Sequence, residues 1–354
     1  MRWDNLRFGD SAADALPRAE APLIERGAVA RTFQTPDFRG ITCYEIQART
    51  IINRVPDASQ VPFRWTVNPY RGCSHACFYC FARNTHTYLD LDAGHDFDSK
   101  IVVKVNAAEQ LRRELGSGRW CGEHIAMGTN VDCYQRAEGR YRLMRGILEA
   151  LRDFANPFSI LTKGSLVVRD IDLLKQAAEV CDVHVNVSVA FLDHEIWRSL
   201  EPGTPRPHKR LEVCRTLNDA GIPCGVLMAP IVPYLTDSPA QLAATVRAIA
   251  EAGATQVIPV VLHLRPGARE WYLGWLREHH PGLVQRYVAL YSRGAYAPRP
   301  YQDEIVGRVR ELALRYGMGS RQSRAGRAGS RQSRKRPHHV PDAMSSASRQ
   351  LSLL

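Results

Sequence analysis

The stretch that most constrains this chain is Asn68-Pro69-Tyr70-Arg71-Gly72-Cys73-Ser74-His75-Ala76-Cys77-Phe78-Tyr79-Cys80. It sets Cys73, Cys77 and Cys80 in a C-x3-C-x2-C spacing, with the turn formers Gly72 and Ser74 around the first and Pro69 ending the segment before it. The apolar run from Phe63 to Val67 reads as a strand that delivers the loop. Thiolate sulfur is a soft ligand that suits zinc and iron–sulfur clusters. A structural zinc closes with four protein ligands, and a cubane cluster ordinarily takes four cysteines, one per iron. The local motif supplies three and stops. An iron left without a protein ligand is a Lewis-acidic position open to a small molecule. The same residues also allow a zinc knuckle completed from a distance by His75, His86 or Cys121. The metal-like spacing and the odd total of nine cysteines weigh against a disulfide framework.

Downstream the pattern alternates. His124–Gly128, Phe158–Thr162, Val183–Val189, Ile222–Met228 and Gln256–Leu262 read as strands. Tyr141–Phe154, Asp172–Val180, Pro207–Ala220 and Ser238–Ala252 between them have helical spacing, two of these stopping at Gly221 and Gly253. With Phe63–Val67 this makes six strand–helix units, which means a parallel sheet with helical crossovers. The choice is then between a partial barrel and an open doubly wound sheet. No Gly-rich phosphate or dinucleotide fingerprint follows any strand, which counts against the second. In such sheets the site lies at the carboxyl ends of the strands, where the cysteine loop also falls. A further strand is expected over Phe97–Lys104, with a helix over Ala107–Leu115 crossing back over the sheet, and aromatic-rich helices over Trp271–Tyr316 should close the domain. Residues 1–60 resist reading beyond a strand at Gly40–Ile46 with a structural Cys43, and an arm at Asp10–Pro22. The expected organisation is therefore an extension over 1–60, a barrel with closing helices over 61–316, and a tail over 317–354.

Charge matters mainly at that tail. From Gly317 onward eight basic residues stand against Asp342 alone, so most of the chain's net +11 sits there. The tail repeats Gly-Ser-Arg-Gln-Ser-Arg at 319–324 and 329–334 and has almost no large apolar residues, so it should be disordered. No run of ~18 apolar residues marks a membrane span. The first residues lack the apolar core of a signal peptide, so the reducing cytoplasm is the expected compartment.

The cysteine loop, with the aromatic Tyr79 before its last cysteine, resembles that of the radical S-adenosylmethionine (SAM) enzymes. The likeness extends over roughly residues 60–315 and is nearest to the branch that includes spore photoproduct lyase. It is carried by Phe81-Ala82-Arg83-Asn84-Thr85-His86, Gly128-Thr129-Asn130-Val131-Asp132-Cys133-Tyr134-Gln135, Thr162-Lys163, Glu201-Pro202-Gly203-Thr204-Pro205 and Arg265-Pro266-Gly267. The resemblance implies a partial (β/α)6 barrel of the TIM type and a [4Fe–4S] cluster on Cys73, Cys77 and Cys80. SAM would sit on the remaining iron and be cleaved to a hydrogen-abstracting 5′-deoxyadenosyl radical. It implies Tyr79 near the adenine, Gly128, Thr129 and Asn130 at the cofactor's polar end, and Lys163 facing its carboxylate. Ser188 is a further candidate, for the ribose or the carboxylate. It also implies a low-potential electron donor of flavodoxin or ferredoxin type. Arg83 and His86, flanking the loop, either offset the cluster's charge or cap local turns. One departure stands out: where the lyase looks to carry a cysteine hydrogen donor, this chain has Gly128, and Cys133 five residues on is either a substitute or a packing thiol. The substrate stays open, with nucleic acid one class. The alternative function is a non-catalytic iron–sulfur redox or iron-sensing protein that binds nucleic acid through its basic tail.

Overall fold

A computed structural model describes residues 6–7, 23, 27–57, 59 and 61–318. The Asp10–Pro22 arm and the repeats of the basic tail lie outside the described residues. Two sheets organise the chain. The larger contains β4 (Ile52–Arg54), β5 (Trp65–Val67), β8 (Ile125–Met127), β9 (Phe158–Thr162), β10 (Val183–Ser188), β11 (Cys224–Ile231) and β12 (Val257–Val261), in the order β12-β11-β10-β9-β8-β5-β4. β5 and β8 to β12 are all parallel, and β4 adds antiparallel to β5 as an edge. These six parallel strands are the six expected from the alternation. The sheet curls without closing, so the architecture is an α/β partial barrel of the TIM type.

Each strand turns one set of side chains inward by the two-residue period. In β9, Phe158, Ile160 and Thr162 are buried while Ser159 and Leu161 are half-buried. The crossover helices pack by the 3.6-residue period. In Leu143–Asp153 the buried set is Met144, Ile147, Leu148, Ala150 and Leu151. Each of the larger aliphatic side chains contributes about 1.5–3 kcal/mol by leaving water. Ser238 and Gln241 form a reciprocal capping box at the start of the helix Pro239–Glu251, whose first residue, a proline, has no N–H to satisfy.

The second sheet contains β1 (Leu6–Arg7), β2 (Val29–Thr32), β3 (Thr42–Ala48), β6 (Tyr70–Arg71) and β7 (Lys100–Lys104). β3 and β7 are parallel, and β1, β2 and β6 pair antiparallel. The expected strand at Phe97–Lys104 begins only at Lys100, because His95–Ser99 forms a short helix with Asp96 and Asp98 in its first turn. The strand also belongs to this second sheet rather than to the barrel. Cys43 is fully buried in a core with Tyr70, Cys73, Ala82, Phe97, Ile101 and Val103. The chain thus leaves the barrel after β5, joins the second sheet for the two residues of β6, and enters the cysteine loop strung between both. Lys104 fastens that crossing, its Nζ donating to Asn68 O at 2.8 Å and its backbone N–H to Pro69 O at 3.0 Å.

Glu114, on the helix Ala107–Leu115, accepts from the backbone N–H groups of Ile51 and Ile52 at 2.7 and 2.9 Å and so holds the entry to β4. Glu114→Ala should destabilise the fold by about 2 kcal/mol, the value of hydrogen bonds to a charged acceptor. The shift in denaturant midpoint at unchanged slope measures it.

Candidate active site

The loop from Gly72 to Cys80 has almost no regular structure, and neighbouring segments satisfy its backbone. Cys73 N donates to Phe97 O at 2.9 Å and Phe78 N to Leu200 O at 3.1 Å. Gln135, fully buried, grips the loop on both sides of Cys73: Oε1 accepts from Ser74 N at 2.9 Å and Nε2 donates to Gly72 O at 2.9 Å. Gly203 N donates to His75 O at 3.1 Å, and a Cβ at 203 would stand 2.1 Å from Ser74 O, so only glycine lets the two backbones meet. The Glu201–Pro205 motif follows the helix His194–Leu200.

Cys73, Cys77 and Cys80 line one cleft at the carboxyl ends of the parallel strands. Tyr79, Gly128, Thr129, Asn130, Lys163 and Ser188 line the same cleft, so every site residue picked from the sequence is brought together there. The wall beyond Ser188 is apolar: Leu227, Ala229, Pro230, Val260 and Leu262. Burial pushes the Cys77 thiol up to about 12, with Lys163 pulling the other way. Burial also raises Cys73 well above its ordinary value, and Asp132 and the other two sulfurs add to the rise. Cys80 is likewise raised by burial, against Arg83. Burial thus holds all three as thiols, and they become thiolates when a metal offsets their charge.

Lys163, just past β9, donates from Nζ to Ser188 Oγ at 2.9 Å and stands 5.7 Å from the centre of the Tyr79 ring. The Tyr79 hydroxyl donates to Glu201, which pairs with Arg210, and Arg210 Nη1 donates to Ser188 O at 2.7 Å. Glu201 and Arg210 are each 1 % exposed. Burial works against ionising Glu201, but Arg210, Lys163 and the Tyr79 hydroxyl outweigh it and hold the carboxyl below its ordinary value. The pair fixes Tyr79 and Ser188 at once, a role the sequence motif alone did not disclose. Thr129 Oγ1 is buried without a partner in the same lining, a hydroxyl left for a ligand.

Asp132 is the other organiser that sequence reasoning passed over. It accepts from Thr162 Oγ1 at 2.7 Å, Lys163 N at 2.6 Å and Tyr134 N at 2.8 Å, and pairs with His75 Nδ1 at 3.3 Å. His75 is therefore already engaged. His86 lies against Lys100 O at 2.9 Å, and Cys121 is exposed beside Arg119 O. Of the distant ligands a zinc knuckle would need, His75 lines the cleft but is held by Asp132, and His86 is held by Lys100 O.

Gly128 has φ +75°, and a Cβ there would lie 1.8 Å from Leu161 O. This strand end has no room for a thiol at 128. Cys133 Sγ lies 3.5 Å from where that Cβ would be, but Cys133 is fully buried and absent from the cleft lining, so it packs the core.

Burial alone would raise the Asp132 carboxyl; His75 and the hydrogen bonds from Lys163 N–H and the Thr162 hydroxyl overcome this and hold it at about 2. A carboxyl depressed on folding stabilises above its unfolded value of ~3.9 and loses that contribution as pH falls through the folded value. Asp132→Asn should therefore cost about 2 kcal/mol at pH 7. The gap to the unsubstituted chain should narrow between about pH 4 and pH 2, read by denaturant melts at each pH.

Comparison with known proteins agrees with this geometry. A protein of Mycobacterium tuberculosis, itself uncharacterised, is 48% identical over 318 residues, covering 89% of this chain and 93% of that protein. An uncharacterised protein of Methanocaldococcus jannaschii is 30% identical over 199 residues, 56% of this chain and 70% of its own. Among solved structures, a cysteine-to-serine mutant of spore photoproduct lyase superposes with a TM-score of 0.57 at 14% identity, covering 86% of this chain and 84% of the lyase. A second mutant of that lyase, with bound AdoMet and a dinucleoside spore photoproduct, gives a TM-score of 0.56 at 15% identity over 73% of this chain and 76% of its own. A model of the radical SAM superfamily matches residues 67–246, from the end of β5 into the helix Pro239–Glu251. By that match the chain belongs to the radical SAM superfamily, whose members are enzymes that use SAM and an iron–sulfur cluster.

Proposed function

We propose that this enzyme holds a [4Fe–4S] cluster on Cys73, Cys77 and Cys80 and binds SAM in the adjoining cleft. The observation that carries the reading is the shared cleft: three thiols at one end, and a cation held by Ser188, an orphaned hydroxyl and an anchored aromatic ring along its walls. The donor set fits the cluster. Three soft thiolates are what a cubane takes, one to an iron with the fourth iron left open, whereas a structural zinc closes with four protein ligands. When bound, the cluster and SAM would together supply a 5′-deoxyadenosyl radical able to abstract hydrogen from a substrate.

The chain's own residues do the holding. Lys163, steadied by Ser188, presents its ammonium to a carboxylate. Thr129 and Asn130 offer hydrogen bonds at the end of β8, where Gly128 lets the strand end close against Leu161 O. Tyr79, tied by Glu201, supplies a flat apolar face. The apolar wall from Leu227 to Leu262 excludes water from the space beside them. A low-potential donor of flavodoxin or ferredoxin type would deliver the reducing electron. Nucleic acid is one substrate class consistent with the dinucleoside bound by the structurally similar lyase. With Gly128 where the resemblance implies a cysteine hydrogen donor, a radical generated here would need a different hydrogen source.

Anaerobic reconstitution with iron and sulfide tests the reading. The expected result is four irons and four sulfides per chain and release of 5′-deoxyadenosine on reduction with SAM present. Cys80→Ala should abolish both. A reconstituted chain that holds zinc alone and cleaves no SAM would refute the reading. Lys163→Ala should weaken SAM binding about tenfold to a hundredfold, the worth of one charge-assisted contact, while leaving the iron content unchanged. A non-catalytic sensor would show no such dependence.

A further inference from the structure

Arg83 is fully buried immediately beyond the cysteine loop. Its Nε donates to the Cys77 carbonyl at 3.0 Å, and its Nη1 to Gly94 O at 2.8 Å and Ala93 O at 3.3 Å. Its Nη2 reaches both carboxylate oxygens of Asp98 at 2.9 Å. The guanidinium carbon lies 5.2 Å from the centre of the Phe97 ring and 5.0 Å from that of Trp271. A neutral amide would satisfy one carbonyl as well; a buried cation held from several sides costs desolvation and needs a further reason.

That reason lies in its field at the sulfurs. The guanidinium bonds the backbone of one ligand residue directly, at Cys77 O, and Asp98 stands against it at 2.9 Å, while Phe97 O, next to Asp98 in the chain, accepts from Cys73 N at 2.9 Å. The two charges are held beside the loop by different elements, Arg83 on the helix Phe81–Leu89 and Asp98 on the helix His95–Ser99, and their fields there have opposite sign.

We infer that Arg83 and Asp98 form an opposed charge pair that sets the reduction potential of the cluster held by Cys73, Cys77 and Cys80. The inference rests on the cluster assignment made above. Reduction adds one negative charge to the cluster. A fixed cation nearby favours the reduced form, and a fixed anion favours the oxidised form. Neither side chain touches iron; both are positioning residues that act through the loop and through space.

The test is a redox titration of the reconstituted full chain, monitored by electron paramagnetic resonance, for the unsubstituted protein, Arg83→Gln and Asp98→Asn. Arg83→Gln should lower the potential and Asp98→Asn should raise it, each shifting the reduction equilibrium by about threefold to tenfold, where tenfold is ~59 mV for one electron. Opposite signs separate the electrostatic role from a structural one, since a loosened loop admits water in both variants and moves both potentials the same way. Shifts of the same sign, or no shift in either, overturn the inference. Loss of the cluster from both variants makes the pair structural and overturns it too. If Arg83→Gln alone fails to hold a cluster, Asp98→Asn decides by itself, a rise supporting the inference and its absence refuting it. An unsubstituted chain that assembles no cluster sinks the cofactor assignment first, before any substitution is made, and the inference with it.

Discussion

The loop that carries Cys73, Cys77 and Cys80 must hold three buried thiols on an irregular backbone, and a buried peptide group left unpaired is costly. Its groups are paired from four directions: Gln135 around Cys73, Phe97 O on Cys73 N, Leu200 O on Phe78 N, and Gly203 N on His75 O. The rest of the site depends on this clamp. Gln135 comes from the segment after β8, and Glu201 and Gly203 from the segment after the helix His194–Leu200. The barrel's loops are therefore pinned to the cysteine loop, and through it to one another.

The second sheet explains why the loop sits where it does. A parallel barrel alone would let the chain run from β5 straight into a crossover helix. Here β6 pairs with β7 instead, and the core of Phe97, Ile101, Val103 and Cys43 packs beneath Cys73 and Ala82. The cysteine loop thus has a floor of its own, separate from the hydrophobic interior of the barrel, and Lys104 is the bolt between the two.

Much of this was legible in the residues. The spacing of Cys73, Cys77 and Cys80 and the alternation from His124 to Leu262 gave the barrel and the end at which its site lies, because both signals are local. Tyr79, Thr129, Asn130, Lys163 and Ser188 each follow or end a strand, and strand ends converge in this architecture, so they meet in one cleft. The roles of Asp132, Glu201, Arg210 and Gln135 were not legible, although three of them lay in quoted motifs. Their functions are partnerships between separate elements, from 9 residues apart for Arg210 with Glu201 to 122 for Tyr79 with Glu201, and no periodicity records such a pair. The start of β7 was misjudged for the reverse reason: Phe97 and Ile101 carry a strand-like apolar pattern, while the acids at Asp96 and Asp98 and tertiary packing turn the first half into a helix.

The sheet ends at β12 on one side and β4 on the other without the two edges meeting among the described residues. Val260, on the bordering strand, is part of the cleft lining together with the cysteine loop, Gly128, Leu161, Ser188 and Leu227, so one hollow runs past the ends of all six parallel strands. A molecule seated in it is therefore within reach of every one of those strands or of the loop that follows it.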